Sequence, residues 1–169
     1  MRLLAALCAL LALACDPGGA PPELALYADG LDSLKSVITQ SGVTIDPAVS
    51  LDGRGSLRID ATGERTVVRI ADVPIDAPGL QRISYRAKLR SENVSGRAYL
   101  EMWVSVPGMG EFFSRALHSV VSGTSEWSTH ETPFFLEKGR EARLAKLSVV
   151  VEGPGTVWVD GVTLSAARR

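Results

Sequence analysis

Five side chains near the middle of the sequence have the chemistry of a sugar-binding surface. Two runs, 81–90 and 98–105, alternate in polarity, and the outward side of that alternation carries Arg86, Lys88, Tyr99, Glu101 and Trp103. The apolar face of a pyranose stacks on an indole ring, while charged and polar groups bond the sugar hydroxyls. The alternative is that these residues form ordinary cross-strand pairs and that a neighbouring strand or loop covers Trp103.

A β-hairpin would bring these five side chains together. Successive side chains leave a strand on opposite faces, so a period of two predicts a half-buried strand for each run. The polar segment 91–96 between the runs is typical of a turn, and the pair therefore predicts an antiparallel hairpin. The expected register gives three outward cross-strand pairs: Arg86 with Glu101, Lys88 with Tyr99, and Ser84 with Trp103.

The sequence gives little support for catalysis or for a zinc site. His118 and His130 stand in neither a His-x-His nor a His-Glu-x-x-His spacing, and there is no Gly-x-Ser-x-Gly elbow. A glycoside hydrolase needs two carboxylates on one face. Glu101 is the acid that we expect mid-strand on the outward face, and Glu152 could join it only if its strand lies beside the hairpin. We therefore expect no catalytic residues.

Length and composition indicate one globular domain. The chain has 169 residues, of which 46% are hydrophobic and 22% charged, and this is enough for a self-sufficient core. The formal net charge is −1, and the basic residues are spread along the chain instead of clustered. Because no basic field is present, we expect no nucleic-acid partner.

The N-terminal segment indicates export. Met1-Arg2 is followed by an apolar run, 3–14, that is too short for a membrane span of about 20 residues, so residues 1–15 are interpreted as a signal peptide. Its end, Ala12-Leu13-Ala14-Cys15-Asp16, resembles the lipobox of bacterial lipoproteins, in which the cysteine becomes the lipid-modified first residue. The resemblance implies a lipid on Cys15, a membrane contact through that lipid and a place in the bacterial cell envelope. Ordinary secretion with signal cleavage is the alternative.

Beyond the signal peptide, the pattern predicts a short Pro/Gly tether, 16–23, and an all-β domain, 24–169. Short alternating runs separated by turn residues predict nine or ten strands, among them 42–46, 56–61, 66–73, 111–121, 127–136, 144–152 and 156–164. A turn is expected at 122–125. No amphipathic helix is visible, so the predicted fold is a two-sheet antiparallel jelly-roll β-sandwich.

One order of motifs carries a family resemblance: Asp52-Gly53-x-Gly55-Ser56-Leu57-Arg58-Ile59, then Tyr85-Arg86-Ala87-Lys88, then Trp127, and a closing strand from Gly155 to Leu164. This order, over about Val43 to Leu164, resembles jelly-roll carbohydrate-binding modules and the wider galactose-binding-like sandwiches. The resemblance implies a module that binds without catalysis. It also implies that Asp160 could hold a structural calcium with a partner such as Asp52 or Glu23, although Gly161 stands where the family often has a second Asp. A surface or turn-bonded Asp160 is the alternative, and no other cofactor is expected.

Three functions remain open from the sequence. The first is glycan binding by the hairpin face around Trp103. The second is a protein–protein or structural role in the envelope without a small ligand. The third is a jelly-roll glycoside hydrolase, which would need a second carboxylate near Glu101.

Overall fold

The structure, a computed structural model, describes residues 23–168, and in this range the chain is built from strands and turns without a helix. The nine strands are β1 Leu24–Asp29, β2 Val43–Asp46, β3 Ser56–Ala61, β4 Arg65–Pro74, β5 Leu80–Val106, β6 Gly110–Arg115, β7 Val121–Phe135, β8 Leu144–Glu152 and β9 Gly155–Arg168. The all-β prediction is confirmed. Within these residues there is consequently no apolar helix that could cross a bilayer. The predicted signal peptide, Cys15 and nearly all of the tether lie outside the described residues.

The nine strands are hydrogen-bonded into one sheet that folds over on itself, and the 27-residue strand β5 runs through both of its layers. Its first half, residues 80–92, pairs with β9 and β7, whereas its second half, residues 94–106, pairs with β8, with β6 and with the start of β7. Sheet 1 is our name for the layer that contains β2, β3, β9, the first half of β5 and most of β7. Strand β1 joins this layer by pairing with the later part of β9. Sheet 2 contains β4, β8, the second half of β5 and β6. All the pairings are antiparallel.

The chain passes between the sheets at residues 93–96. Asn93 has a φ of 52°, a left-handed conformation that asparagine tolerates better than most residues. Gly96 passes so close to β8 that a Cβ there would lie 2.2 Å from the Glu152 carbonyl oxygen. Glycine is therefore required at the point where β5 crosses the end of its neighbour.

The predicted hairpin is wrong in its pairing. Arg86 faces Glu131 of β7 and Thr163 of β9, whereas Glu101 faces Arg115 of β6 and Ser148 of β8. The alternation itself is correct, because one side of each half is buried. Alternating polarity with a period of two indicates only that one face of a strand is buried. Two strands show the same pattern whether they are neighbours in one sheet or lie in opposite sheets that face each other across the core.

The core lies between the inward faces of the two sheets. Both halves of β5 contribute fully buried side chains to it, as do β3, β8 and β9: Ile83, Tyr85, Leu89, Leu100, Met102, Val104, Leu57, Ile59, Leu147, Val149, Val157, Val159 and Leu164. Strand β8 lies between β4 and β5, and Val149, Val150 and Val151 are all buried. The described residues thus bury a continuous apolar core without a disulfide.

Two local predictions in the region of β6 and β7 differ from the structure. The predicted strand 111–121 is two strands, because β6 ends at Arg115 and β7 begins at Val121. The predicted turn 122–125 lies inside β7, where Gly123 pairs with Val94 and Ser125 with Ser91. Four small polar residues in a row are typical of a turn. Here they pair with β5 along its bend, so tertiary strand pairing overrides the local turn preference.

The two ends of the sandwich are distinct. At the terminal end, β1 and the first half of β5 begin, while β7, β9 and the second half of β5 end. At the bend end lie residues 93–96 and the turn from β8 to β9. The chain therefore enters and leaves the described fold at the same end.

Candidate functional site

Trp103 lies on the outward face of sheet 2. Its neighbours in the sheet are Phe113 of β6 and Lys146 of β8. The Trp103 and Phe113 ring centroids are 5.2 Å apart with planes inclined by 51°. Trp103 is partly exposed and Phe113 is 53% exposed, so the two rings form an aromatic surface open to solvent.

A buried carboxylate holds the indole in place. Glu101, which is only 4% exposed, accepts a hydrogen bond from Trp103 Nε1 at 3.0 Å through Oε1. Its Oε2 accepts a 2.5 Å hydrogen bond from Arg115 Nε and lies 3.6 Å from Arg65 Nη2. Both carboxylate oxygens are therefore engaged, and the orientation of Trp103 is fixed before any ligand arrives.

Tyr99 extends the same face toward the bend end. Its hydroxyl donates to Glu152 Oε1 at 2.9 Å, and Arg97 Nε donates to Glu152 Oε2 at 2.6 Å. The Arg97 guanidinium holds the pKa of Glu152 below its ordinary value, and the Tyr99 hydroxyl acts in the same direction. Burial raises the pKa of Tyr99, so its hydroxyl remains a donor. Tyr99 is buried and supports the site without offering a free ring face.

A third charged pair borders the aromatic surface toward the terminal end. Glu111 accepts from Lys146 Nζ at 2.7 Å and from the Ser105 hydroxyl at 2.7 Å. The bond from Lys146 holds the pKa of Glu111 below its ordinary value. The aromatic surface therefore lies between ionised, mutually oriented polar groups.

Arg86 and Lys88 are not part of this surface. They lie on the outward face of sheet 1, on the opposite side of the sandwich. Arg86 bonds Glu131 and Glu23, each at 2.9 Å, and Lys88 Nζ donates to Thr129 Oγ1 at 2.5 Å. The structure thus brings together three of the five predicted residues, Trp103, Glu101 and Tyr99, and separates the other two from them.

The residues that the sequence interpretation missed come from the neighbouring strands. Phe113, Arg115 and Lys146 reach Trp103 or Glu101 from β6 and β8, and Arg65 reaches Glu101 from β4. A pattern along one strand shows which side chains point outward, but it does not show which strand lies alongside. Glu152 was expected on the same face as Glu101 only if its strand lay beside this part of the chain. Its strand, β8, does lie beside β5, and Glu152 is opposite Arg97.

Asp160 is buried and bonded to the backbone. Its Oδ2 accepts from the Leu51 amide at 2.9 Å, and burial raises its pKa. The suggested calcium partners are engaged elsewhere, since Asp52 pairs with Arg54 at 3.3 Å and Glu23 bonds Arg86 on the face of sheet 1. Among residues 23–168 there is no group of three or more His, Cys, Asp or Glu side chains that could hold a metal ion.

Comparison with known proteins finds likeness in structure only. No family model matches the sequence, and no curated protein matches it. The first CBM22 module of the Clostridium thermocellum endo-1,4-beta-D-xylanase 10B, in a structure with its GH10 module and xylohexaose, superposes with a TM-score of 0.60 at 11% identity. The match covers 86% of this chain and 29% of that one. The described residues are thus similar in fold to β-sandwich carbohydrate-binding modules.

Two further solved modules support this assignment of the fold. The CBM22-1 xylan-binding domain from Paenibacillus barcinonensis Xyn10C gives a TM-score of 0.57 at 12% identity, covering 89% of this chain and 99% of that one. A family 16 carbohydrate-binding module gives 0.55 at 8% identity, covering 78% and 91%. The resemblance of the sequence to carbohydrate-binding modules is thereby confirmed for the fold. Sequence identities this low do not indicate which ligand, if any, this chain binds.

Proposed function

We propose that this protein binds carbohydrate without catalysis, on the outward face of sheet 2. The observation that carries the proposal is the Trp103–Phe113 aromatic surface, which is open to solvent and oriented by the buried Glu101. The fold likeness supports it, since the neighbours are carbohydrate-binding modules, one of them described as a xylan-binding domain.

The mode of binding follows from the groups around the rings. A pyranose stacks on the exposed edge and face of Trp103 with Phe113 beside it, where burial of apolar ring surface drives association. Lys146 and Glu111, on one side, and Arg115, on the other, lie close enough to exchange hydrogen bonds with hydroxyls. Because Glu101 already fixes the indole, little side-chain entropy is lost on binding.

The carboxylates on this face suit binding better than hydrolysis. A glycosidase requires one carboxyl with a raised pKa that can act as the general acid. The pKa of Glu152 is held below its ordinary value by Arg97, and both oxygens of Glu101 accept hydrogen bonds from Trp103 and Arg115. Neither group is free to deliver a proton to a glycosidic oxygen.

A second candidate function is docking of an envelope protein on the same face. It is favoured by the close pairing of the charges there, Lys146 with Glu111, Arg115 with Glu101 and Arg97 with Glu152, which leaves a largely neutral surface around an exposed aromatic ring. Such a surface is typical of the centre of a protein interface.

Affinity gel electrophoresis in soluble xylan, mannan and galactan separates the two functions. We expect at least one polysaccharide to retard the wild type and Trp103→Ala to weaken retardation by about tenfold or more, the loss expected when one stacking ring is removed. Trp103→Phe should retain part of the binding. Lys88→Ala, on the opposite sheet, is the matched control and should behave as the wild type. Thermal melts exclude unfolding, and equal retardation of wild type and Trp103→Ala would contradict the proposal.

We also propose that the protein is an exported lipoprotein of the bacterial cell envelope, anchored through Cys15. The support is the apolar run 3–14 followed by Ala14-Cys15. Mass spectrometry of the N-terminal peptide should find acyl chains on Cys15 in protein from the membrane fraction, and Cys15→Ser should lack them. An unmodified mature N-terminus, with the wild type in the supernatant, would contradict the anchor.

A further inference from the structure

An exposed apolar cluster occupies the terminal end of the sandwich. Phe135 is 66% exposed, Met109 43% and Phe112 38%. These three side chains, which we call the end patch, surround an open groove of about 240 Å³ whose floor includes Val106 and Phe134. Exposed apolar residues grouped in this way mark an interaction surface, because leaving them in water is unfavourable.

The strand arrangement explains why the end patch stays uncovered. Phe112 pairs with Val104, so its side chain points to the core side of sheet 2, where its ring centroid is 6.4 Å from that of Phe134. Phe135 pairs with Arg82 on the outward face of sheet 1. Sheets 1 and 2 separate at this corner, and the apolar side chains of β6 and β7 line the opening between them.

The chain enters the fold beside this patch. Glu23 is fastened to sheet 1 by Arg82, Arg86 and Ser165. Across the sheet the strands run β1, β9, β5 and β7 at this end, so Glu23 and Phe135 lie about three strand spacings, or about 14 Å, apart. The same Arg82 that bonds Glu23 lies opposite Phe135.

The segment before Glu23 is short. Seven residues, 16–22, separate Cys15 from Glu23, and a fully extended chain of this length spans at most about 29 Å. A lipid on Cys15 therefore brings the terminal end of the sandwich to within that distance of a bilayer, and the end patch faces the same way.

We propose that the end patch inserts into the surface of the lipid bilayer to which Cys15 is anchored. This inference rests on the proposed lipidation of Cys15. Lipid chains fix the protein to the membrane, and the apolar side chains of the patch then fix its orientation, because insertion of Phe135, Met109 and Phe112 removes apolar area from water at one end only. Glu137 and Arg140 also line the groove and are exposed, so both charges lie at the level of the lipid headgroups when the apolar side chains insert.

The orientation has a consequence for the candidate sugar site. With the terminal end on the membrane, the strands stand upright and the outward face of sheet 2 is turned sideways. Trp103 is three residues before the end of β5 at Val106, about 10 Å along the strand. Because Phe112 lies opposite Val104, one residue from Trp103, insertion of the end patch places the aromatic surface at the level of the lipid headgroups, where it meets a glycan that runs along the membrane surface.

A single labelled cysteine tests the orientation. The sequence contains only Cys8 and Cys15, so the lipidated mature protein has no free thiol, and Met109→Cys provides one site for an environment-sensitive dye. Thr62→Cys, exposed near the bend end, is the matched control. The labelled lipoproteins are reconstituted in phosphatidylcholine vesicles with and without lipids that carry a nitroxide on the acyl chain.

We expect the nitroxide lipids to quench the dye at residue 109 and to leave the dye at residue 62 unchanged. The dye at Phe135→Cys should repeat the result at residue 109, which guards against a local effect of one substitution. Equal quenching at residues 109 and 62, or none at either, overturns the proposal. Absence of quenching together with concentration-dependent dimers in sedimentation assigns the patch to a second copy of the chain instead.

Failure of the anchor is a separate result. If mass spectrometry finds no lipid on Cys15, the unlipidated labelled protein is mixed with the same vesicles. Quenching at residue 109 would then still support membrane insertion of the end patch, and its absence would overturn it.

Discussion

The two halves of β5 make an instructive comparison. Both bury one side in the same core, and they are joined by a bend of only a few residues. On the outward side the first half carries Arg86 and Lys88, which bond side chains of β7 at a half-exposed surface. The second half carries Tyr99 and Glu101, which are buried, next to an exposed aromatic pair.

The difference comes from the neighbouring strands. In sheet 1 the partners of β5 bring Glu131, Thr129 and Thr163, short or solvated side chains that leave Arg86 about one-third exposed. In sheet 2 the partners bring Phe113 and Arg115, which cover Glu101 and extend the indole surface. An outward face acquires a function when the strands on either side supply complementary side chains, and strand periodicity alone does not indicate this.

Replacement of one carboxylate on each outward face should give the largest difference in the free energy of unfolding between the two halves of β5. Glu101→Gln leaves Arg115 without its ionic partner in a covered site, and we expect a loss of about 2 kcal/mol in the free energy of unfolding. Glu131→Gln breaks a pair that is about 35% exposed on both sides, which should cost about 0.5 kcal/mol or less. Urea denaturation measures both losses.

The two variants also differ in function. Glu101→Gln should weaken retardation by polysaccharide because the amide has one acceptor oxygen for the two donors, Trp103 Nε1 and Arg115 Nε, and so holds the indole less firmly, while Glu131→Gln should leave retardation unchanged. If both variants lose the same stability, the covering of Glu101 by β6 has no energetic importance, and the comparison between the two faces fails.

A pair of tyrosines gives the next largest contrast, with opposite signs. The Tyr85 hydroxyl, in the first half, is buried and has no hydrogen-bond partner among residues 23–168, whereas the Tyr99 hydroxyl donates to Glu152. Tyr85→Phe removes an unsatisfied polar atom and should raise the free energy of unfolding by about 0.5–1 kcal/mol. Tyr99→Phe removes a bond to a charged acceptor and should lower it by about 1 kcal/mol.

Chemical denaturation of the two Tyr→Phe variants checks the signs, since both substitutions remove the same atom. A loss of stability in Tyr85→Phe would mean that a bound water satisfies the hydroxyl in solution. Equal losses in both variants would remove the distinction between an unpaired and a paired buried hydroxyl.

Much of the fold could be predicted from the sequence. The alternation of Leu57 and Ile59, or of Leu100 and Met102, marks a buried face directly, since side-chain direction depends only on the local backbone. Strand pairing depends on residues far apart in sequence. The run 80–106 is compatible with a hairpin and with a strand that changes sheets, and the pairings of its two halves with β7, β8 and β9 distinguish these arrangements.

Less of the site could be predicted. Trp103 and Glu101 lie two residues apart on one strand, so their common face follows from the sequence, and the structure places them together. The sequence pattern predicts a strand that contains Phe113 and Arg115, but it does not indicate that this strand lies beside Trp103. The end patch was not anticipated, because Phe112 and Phe135 lie in strands whose aromatic residues would ordinarily be attributed to the core.

The smallest expected effect concerns pH and the first half of β5. His130, on β7 opposite Ala87, is 4% exposed. Its Nδ1 lies 2.9 Å from the Ser119 carbonyl oxygen and 2.8 Å from the Ser119 hydroxyl, and its Nε2 lies 2.8 Å from the Ser128 hydroxyl. Burial lowers the pKa of His130 below its ordinary value of about 6.5, against the opposing effect of the Ser119 bond.

The sign of the pH dependence follows from that shift. Below about pH 6.5 the unfolded chain takes up a proton at His130 that the folded protein does not, so stability is full above this pH and falls as the pH decreases toward the lower folded pKa. Urea midpoints between pH 7.5 and about 5 measure this effect above the range in which acidic groups with lowered pKa values, such as Glu152, lose most of their contribution. Asp160, whose pKa is raised, acts in the opposite direction and is common to the wild type and the His130 variant. His130→Gln should remove the decline. If stability still declines with decreasing pH in His130→Gln, another group is responsible. The residues around the first half of β5 would then be no more sensitive to protonation than the charge-paired outward face of the second half.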